Sequence, residues 1–109
     1  MGSREIVLSL FLPKQLYLQA VFMTTSFVFD TYAKTGRGKI LHFDVVIDEQ
    51  DQQKALNCAK EWLKTIDEKA ATVTSENCCF CHGVEAPTEL RQQINDQGYA
   101  IYKLEGCPK

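Results

Sequence analysis

The chain has 109 residues and a formal net charge of −2, with 45% hydrophobic and 24% charged residues. This length suits one domain with a modest core, and the composition is that of a globular protein rather than a disordered one. The lysines and arginines form no cluster. Nucleic-acid binding and electrostatic docking on a membrane both need a basic patch, so neither partner is expected.

The first 22 residues do not match the pattern of the rest. Their apolar run, residues 6–12, ends at Pro13 and is too short for a membrane span, which takes about 20 residues. It also lacks the basic start and the small-residue cleavage site of a signal peptide. A methionine at position 23 looks like a natural beginning. We therefore expect residues 1–22 to be an extension outside the core fold and residues 23–109 to form a single domain.

The first elements of that domain are predicted to be two strands of a β-hairpin. Residues 27–34 and 39–47 alternate in side-chain type with period two, and glycines lie between them. A hairpin that closes around Gly36 places Asp30 opposite His42.

The remaining predicted elements continue the chain to its end. They are a helix at 48–66, a strand at 71–75, a helix at 87–97 and a strand at 99–104. Trp62 lies on the apolar side of the first helix and is expected to anchor it on the sheet. The order β-β-α-β-α-β predicts an α+β two-layer sandwich, in which a four-stranded sheet carries both helices on one face. The other face would be partly open and suited to homodimer formation or to binding.

Three polar residues are predicted to lie together on that open face: Asp30, His42 and Asp44. A carboxylate beside a histidine suits a general base or the support of a metal ligand, and it is also an ordinary polar pair across two strands. No recognisable nucleophile motif accompanies it. A binding module is therefore expected rather than an enzyme.

The five cysteines are an odd number, which is unusual for a secreted disulfide scaffold. Cys78 and Cys79 are neighbours and cannot easily bridge each other. We interpret all five as reduced thiols of a cytoplasmic protein.

The richest stretch for chemistry is Cys78-x-x-Cys81-His82. Two such sulfurs can bind one zinc ion, and Cys78, Cys81, His82 and Cys107 are the candidate ligands, with His42 as a further one. The same two cysteines could instead cycle between dithiol and disulfide, although no helix begins at the motif. The third alternative is a set of inert, packed thiols. Covalent haem attachment needs export and is not expected, and no cofactor other than zinc is indicated.

Several blocks of residues occur together in a fixed order. They are Phe29-Asp30-Thr31-Tyr32, His42-Phe43-Asp44-Val45, Glu61-Trp62-Leu63, Thr72-Val73-Thr74-Ser75-Glu76, Cys78-x-x-Cys81-His82 and Gly98-Tyr99-x-Ile101-Tyr102-Lys103-x-Glu105-Gly106-Cys107. Over residues 26–107 the chain thereby resembles a small bacterial family catalogued as domain of unknown function 2024. The resemblance implies an α+β fold without an established activity. We expect a small binding or interaction module, with a zinc or thiol-redox protein as the alternative.

Overall fold

The computed structural model describes residues 25–108, and the predicted extension, residues 1–22, lies outside them. The elements are β1 (Ser26–Lys34), β2 (Ile40–Ile47), α1 (Gln52–Thr65), a 3-10 turn (Ser75–Asn77), β3 (Cys78–Val84), α2 (Thr88–Gln97) and β4 (Ala100–Glu105). The four strands form one antiparallel sheet in the order β3-β1-β2-β4. The predicted α+β class and element order are confirmed. Within residues 25–108, the helices are all too short or too polar to cross a membrane.

The hairpin between β1 and β2 closes one residue later than predicted. Thr35 N–H donates to the Lys39 carbonyl at 2.8 Å, which leaves a three-residue loop ending at Gly38 with a φ of +89°. Such loops need a left-handed residue at their last position, which glycine supplies without strain. The register therefore shifts by two, so that Asp30 lies opposite Asp44 and not opposite His42.

Helix α1 packs on the sheet through the predicted apolar side. Asp51 caps its start, where its carboxylate accepts from Lys54 N–H at 3.1 Å, because the first helical amides have no partner within the helix. Trp62 lies against Phe43 of β2, with ring centroids 4.7 Å apart. Its neighbours in the main core come from alternate positions of β1 and β2, the positions that point towards α1: Phe29, Ala33, Leu41, Phe43, Val45 and Ile47.

Helix α2 lies on the opposite face of the sheet, which corrects the prediction that both helices share one face. Ile94 packs with Val28, Val46 and Ala100, the inward-pointing residues of that second face. The reason is visible in the strands, since each of them carries an apolar residue at one end of the face opposite α1. A second, smaller core forms there and covers only that end of the face.

The third strand is also placed differently from the prediction. Residues 71–75 contribute one isolated bridge, Lys34 to Thr72, and the 3-10 turn then leads into β3. The strand that pairs with β1 is the cysteine-bearing segment, in which Cys78 lies opposite Thr31. The β-branched run around Val73 is thus a connection, although Val73 itself is buried against the main core.

A polar network ties α2 to the sheet. Arg91 donates to both carboxylate oxygens of Asp48, at 2.8 and 3.1 Å, and to the Ser26 hydroxyl at 2.7 Å. Ser26 donates in turn to Asp48 at 2.8 Å. The Arg91 hydrogen bonds are the main reason that the pKa of Asp48 lies below its ordinary value of 3.8.

We predict that Arg91→Met destabilises the protein at neutral pH and that this loss shrinks in acid. A carboxyl group with a lowered pKa in the folded state stabilises the fold above its ordinary pKa, and this contribution disappears as pH falls through the folded value. Urea unfolding at neutral pH and at a pH below the ordinary carboxyl pKa measures the loss of stability under both conditions. Lys54→Met, which breaks the exposed Lys54–Glu49 pair, is the control and should have little effect at either pH. An Arg91→Met loss that does not depend on pH would contradict the prediction.

Candidate binding site on the open sheet face

The part of the second sheet face that α2 leaves uncovered carries the predicted polar residues. Asp30 of β1 and Asp44 of β2 are directly opposite each other. His42 lies diagonally from Asp30, and its Nε2 is 2.6 Å from Asp30 Oδ1. The Tyr32 ring stacks on the His42 imidazole at 4.1 Å, with an interplanar angle of 7°. The structure therefore brings Asp30, His42 and Asp44 together, in a different register from the one expected.

The Asp44 carboxylate lies in surroundings that disfavour its negative charge. Its pKa is raised, first by burial and then by the negative charge of Asp30, while the imidazoles of His42 and His82 partly oppose the shift. Ionised Asp44 is thus held in the folded protein at a cost. Binding sites commonly contain groups kept in such unfavourable surroundings, because a ligand can relieve them.

A groove of about 290 Å³ begins at Asp44 and extends towards α2. Its apolar walls come from β1, β2, β3 and the start of α2: Val28, Val46, Val84, Pro87 and Leu90. Three polar residues also line it: Asp44 and Tyr102, which lie opposite each other on β2 and β4, and His82 on β3, which lies opposite Val28. An apolar trough with a few convergent polar groups is the usual form of a small-ligand site.

The sheet face that carries the groove also exposes large apolar side chains. Tyr102 is 54% exposed, Ile40 50% and Tyr32 41%. The pairing of β2 with its two neighbours puts all three on the face opposite α1. This open face is therefore both acidic and aromatic.

The two cysteines of the Cys-x-x-Cys motif are separated by the fold. Cys78 is fully buried beneath α1, with its Sγ 3.6 Å from the Thr31 hydroxyl, and burial raises the pKa of its thiol. Cys81 is exposed, and its Sγ is 3.1 Å from Nδ1 of His82. A buried thiol with a raised pKa is a poor nucleophile, so this pair does not have the environment of a redox dithiol.

The third predicted cysteine ligand lies at the other side of the sheet. Cys107 follows β4, and its thiol is 3.5 Å from the carbonyl of His42 on β2. Strands β1 and β2 separate it from β3, which carries Cys78, Cys81 and His82. The four predicted zinc ligands are thus not brought together. Between residues 25 and 108, no three Cys, His, Asp or Glu side chains are grouped closely enough to hold a metal ion.

Sequence reasoning missed the position of His82 in the groove. The predicted strand at 71–75 and the predicted helix at 87–97 leave His82 outside both elements. Alternation from Cys78 through Phe80 would indicate a strand but would place His82 on the face towards α1. The β-bulge at Cys81 interrupts that alternation and puts His82 opposite Val28, on the face that carries the groove.

The fold and the groove define a small α+β protein with one open sheet face. The chain belongs to the family described as Domain of unknown function (DUF2024), which matches residues 23–104. It is similar to protein NE1680 from Nitrosomonas europaea, a structural genomics target solved by NMR, with 50% sequence identity and a TM-score of 0.69. That match covers 77% of this chain and 99% of the other. No curated protein matches the chain. Neither description names an activity.

Proposed function

We propose that this protein is a binding module whose ligand is a small organic cation with an apolar portion, held in the groove beside Asp44. The observation that carries the proposal is the pair of facing carboxylates, Asp30 and Asp44, at the head of an apolar trough. A protonated amine placed there would offset the cost that burial and Asp30 impose on the Asp44 carboxylate.

The surroundings of the carboxylates favour a positive ligand. The ion pairs within residues 25–108 give Asp30 one imidazole, that of His42, and give Asp44 no lysine or arginine. Tyr102 adds an exposed ring opposite Asp44 in the groove, and the faces of aromatic rings attract ammonium and guanidinium groups. The apolar walls from β3 and α2 suit a hydrocarbon portion of a few carbons.

The test is a titration of the full-length, isotope-labelled chain with butylamine, followed by NMR. Butyrate and butanol are the matched probes, because they keep the hydrocarbon and change only the charge. We expect butylamine alone to shift the amides around Asp44, His82 and Tyr102. Asp44→Asn should weaken this binding about tenfold, since a hydrogen bond to a charged group contributes about 1.5 kcal/mol or more. Glu61→Gln, on the exposed side of α1, is the control and should leave binding unchanged.

A loss of butylamine binding in Asp44→Asn can be assigned to the site, because the substitution should not destabilise the fold. When the pKa of a carboxyl group is raised in the folded state, the free energy of unfolding decreases as pH increases from 3.8 through the raised value. At neutral pH the ionised group therefore destabilises the fold, and the amide should be at least as stable. Equal shifts from butylamine and butyrate, or shifts confined to another surface, would overturn the proposal.

A homodimer through the open face is the second candidate. It is favoured by Tyr32, Ile40 and Tyr102, since large apolar side chains exposed on one face often mark an interface. Sedimentation equilibrium at increasing protein concentration distinguishes it from small-ligand binding: a constant monomer mass excludes the dimer.

A cytoplasmic location stays a prediction, and the five free thiols are consistent with a reducing compartment.

A further inference from the structure

A β-bulge gives Cys81 a position that its neighbours in β3 do not have. Phe29 of β1 lies opposite Phe80, and Val28 lies opposite His82, so Cys81 is the extra residue without a partner on β1. Bulges redirect side chains and often occur beside functional sites. Here the bulge leaves Cys81 outside the alternation that buries Cys78 on one side of the sheet and exposes Cys79 on the other.

Cys81 and His82 form a thiol–imidazole pair at the surface. Both side chains are exposed, and the distance between Cys81 Sγ and His82 Nδ1 is 3.1 Å. A nucleophile within hydrogen-bond reach of a base is the arrangement that activates cysteine, because the base can take the thiol proton as the sulfur attacks.

Cys79 provides an internal comparison. It is also exposed and lies two residues away, but its thiol donates to the Glu76 carbonyl at 3.3 Å. A backbone carbonyl accepts a hydrogen bond from a thiol but does not take up its proton at ordinary pH. The two cysteines thus differ in their proton acceptor while sharing exposure and strand.

We propose that Cys81 is a site of thiol–disulfide exchange with small disulfides, and that His82 is its proton acceptor. The Cys81 sulfur attacks one sulfur of the small disulfide, so that a new S–S bond forms and the original S–S bond breaks. The departing thiolate takes the proton that His82 accepted and leaves as a free thiol. Cys81 is thereby oxidised to a mixed disulfide, and one half of the small disulfide is reduced. Because His82 lines the groove, the adduct would lie at its edge.

The test uses the full-length, reduced protein and oxidised glutathione as the probe. Peptide mass spectrometry follows the extent of modification at each cysteine with time. We expect Cys81 to react about tenfold faster than Cys79, because a positioned proton acceptor accelerates such a step. His82→Ala should bring the Cys81 rate down to that of Cys79 and leave the Cys79 rate unchanged.

His82→Gln is the second variant, since glutamine keeps a polar side chain of similar reach but does not take up the proton. It should behave like His82→Ala, which guards against an effect of lost packing in one variant alone. Thermal unfolding of both variants confirms that β3 is retained. Equal rates at Cys79 and Cys81 in the wild-type protein, or an unchanged Cys81 rate in both variants, would overturn the proposal whether or not the groove binds a cation.

Discussion

Trp62→Ala is expected to lower the free energy of unfolding by about 3–5 kcal/mol, the usual cost of removing a large buried aromatic side chain. Trp62 is only 8% exposed, and its ring lies 4.7 Å from the ring of Phe43, which is fully buried at the centre of β2. The substitution removes a large aromatic contact between α1 and the sheet and leaves a cavity that the surrounding backbone cannot fill. Urea denaturation followed by far-ultraviolet circular dichroism measures it, since the chain has only one tryptophan and its fluorescence is lost.

Tyr102→Ala is the matched control for this prediction. Tyr102 is also aromatic but is 54% exposed on the opposite face, so its removal should cost less than about 1 kcal/mol. Trp62→Phe should fall between the two, because it keeps part of the buried ring. Comparable losses for Trp62→Ala and Tyr102→Ala would show that α1 is not held on the sheet through this contact.

Gly106→Ala is expected to destabilise the fold by about 3 kcal/mol, through backbone strain and steric overlap together. Gly106 has a φ of +79°, and a Cβ at this position would lie 2.4 Å from the carbonyl oxygen of Ile40. That oxygen belongs to the start of β2 and cannot move without shifting the strand. Thermal and urea unfolding measure the loss.

Gly98→Ala separates the two causes. Gly98 ends α2 with a φ of +94°, but a Cβ there would meet no atom within 4 Å. Its substitution should therefore cost only the strain of the left-handed conformation, about 1 kcal/mol. The additional loss in Gly106→Ala measures the close approach of the C-terminal segment to β2. If the two substitutions cost the same, that approach does not contribute to stability.

Secondary structure is predicted most reliably from the sequence where the apolar residues follow a single period, that of a strand or that of a helix. The first strands and α1 follow from alternation and from the helical spacing around Trp62, and both were found near their expected bounds. The hairpin register depended on a single left-handed residue, Gly38, and not on the strands themselves. That local choice moved Asp30 from opposite His42 to opposite Asp44, and the hydrogen bond between Asp30 and His42 became diagonal.

The remaining differences arise from tertiary packing. Helix α2 was predicted from its proline and glycine boundaries, but its face was decided by Val28 and Val46, which lie distant in sequence from Ile94. The β-branched residues at 71–75 have strand propensity, yet the pairing with β1 is made by the cysteine segment. Propensity is overridden here because Cys78 fills the space between Thr31 and α1. The residues of the polar cluster were therefore predictable, whereas the groove beside them was not.

Because of the strand order, the strands that line the groove differ in rigidity. Among the strands of residues 25–108, β1 and β2 each have a neighbour on both sides, whereas β3 and β4 each have one. Segments with fewer partners open locally at a lower free energy than the centre of a sheet. The carboxylates of Asp30 and Asp44 thus lie on the central strands, which open least readily. His82 and Tyr102 lie on the outer strands, which open most readily. A ligand would therefore bind to carboxylates held in fixed positions, while the side chains on β3 and β4 beside it could adjust to its shape.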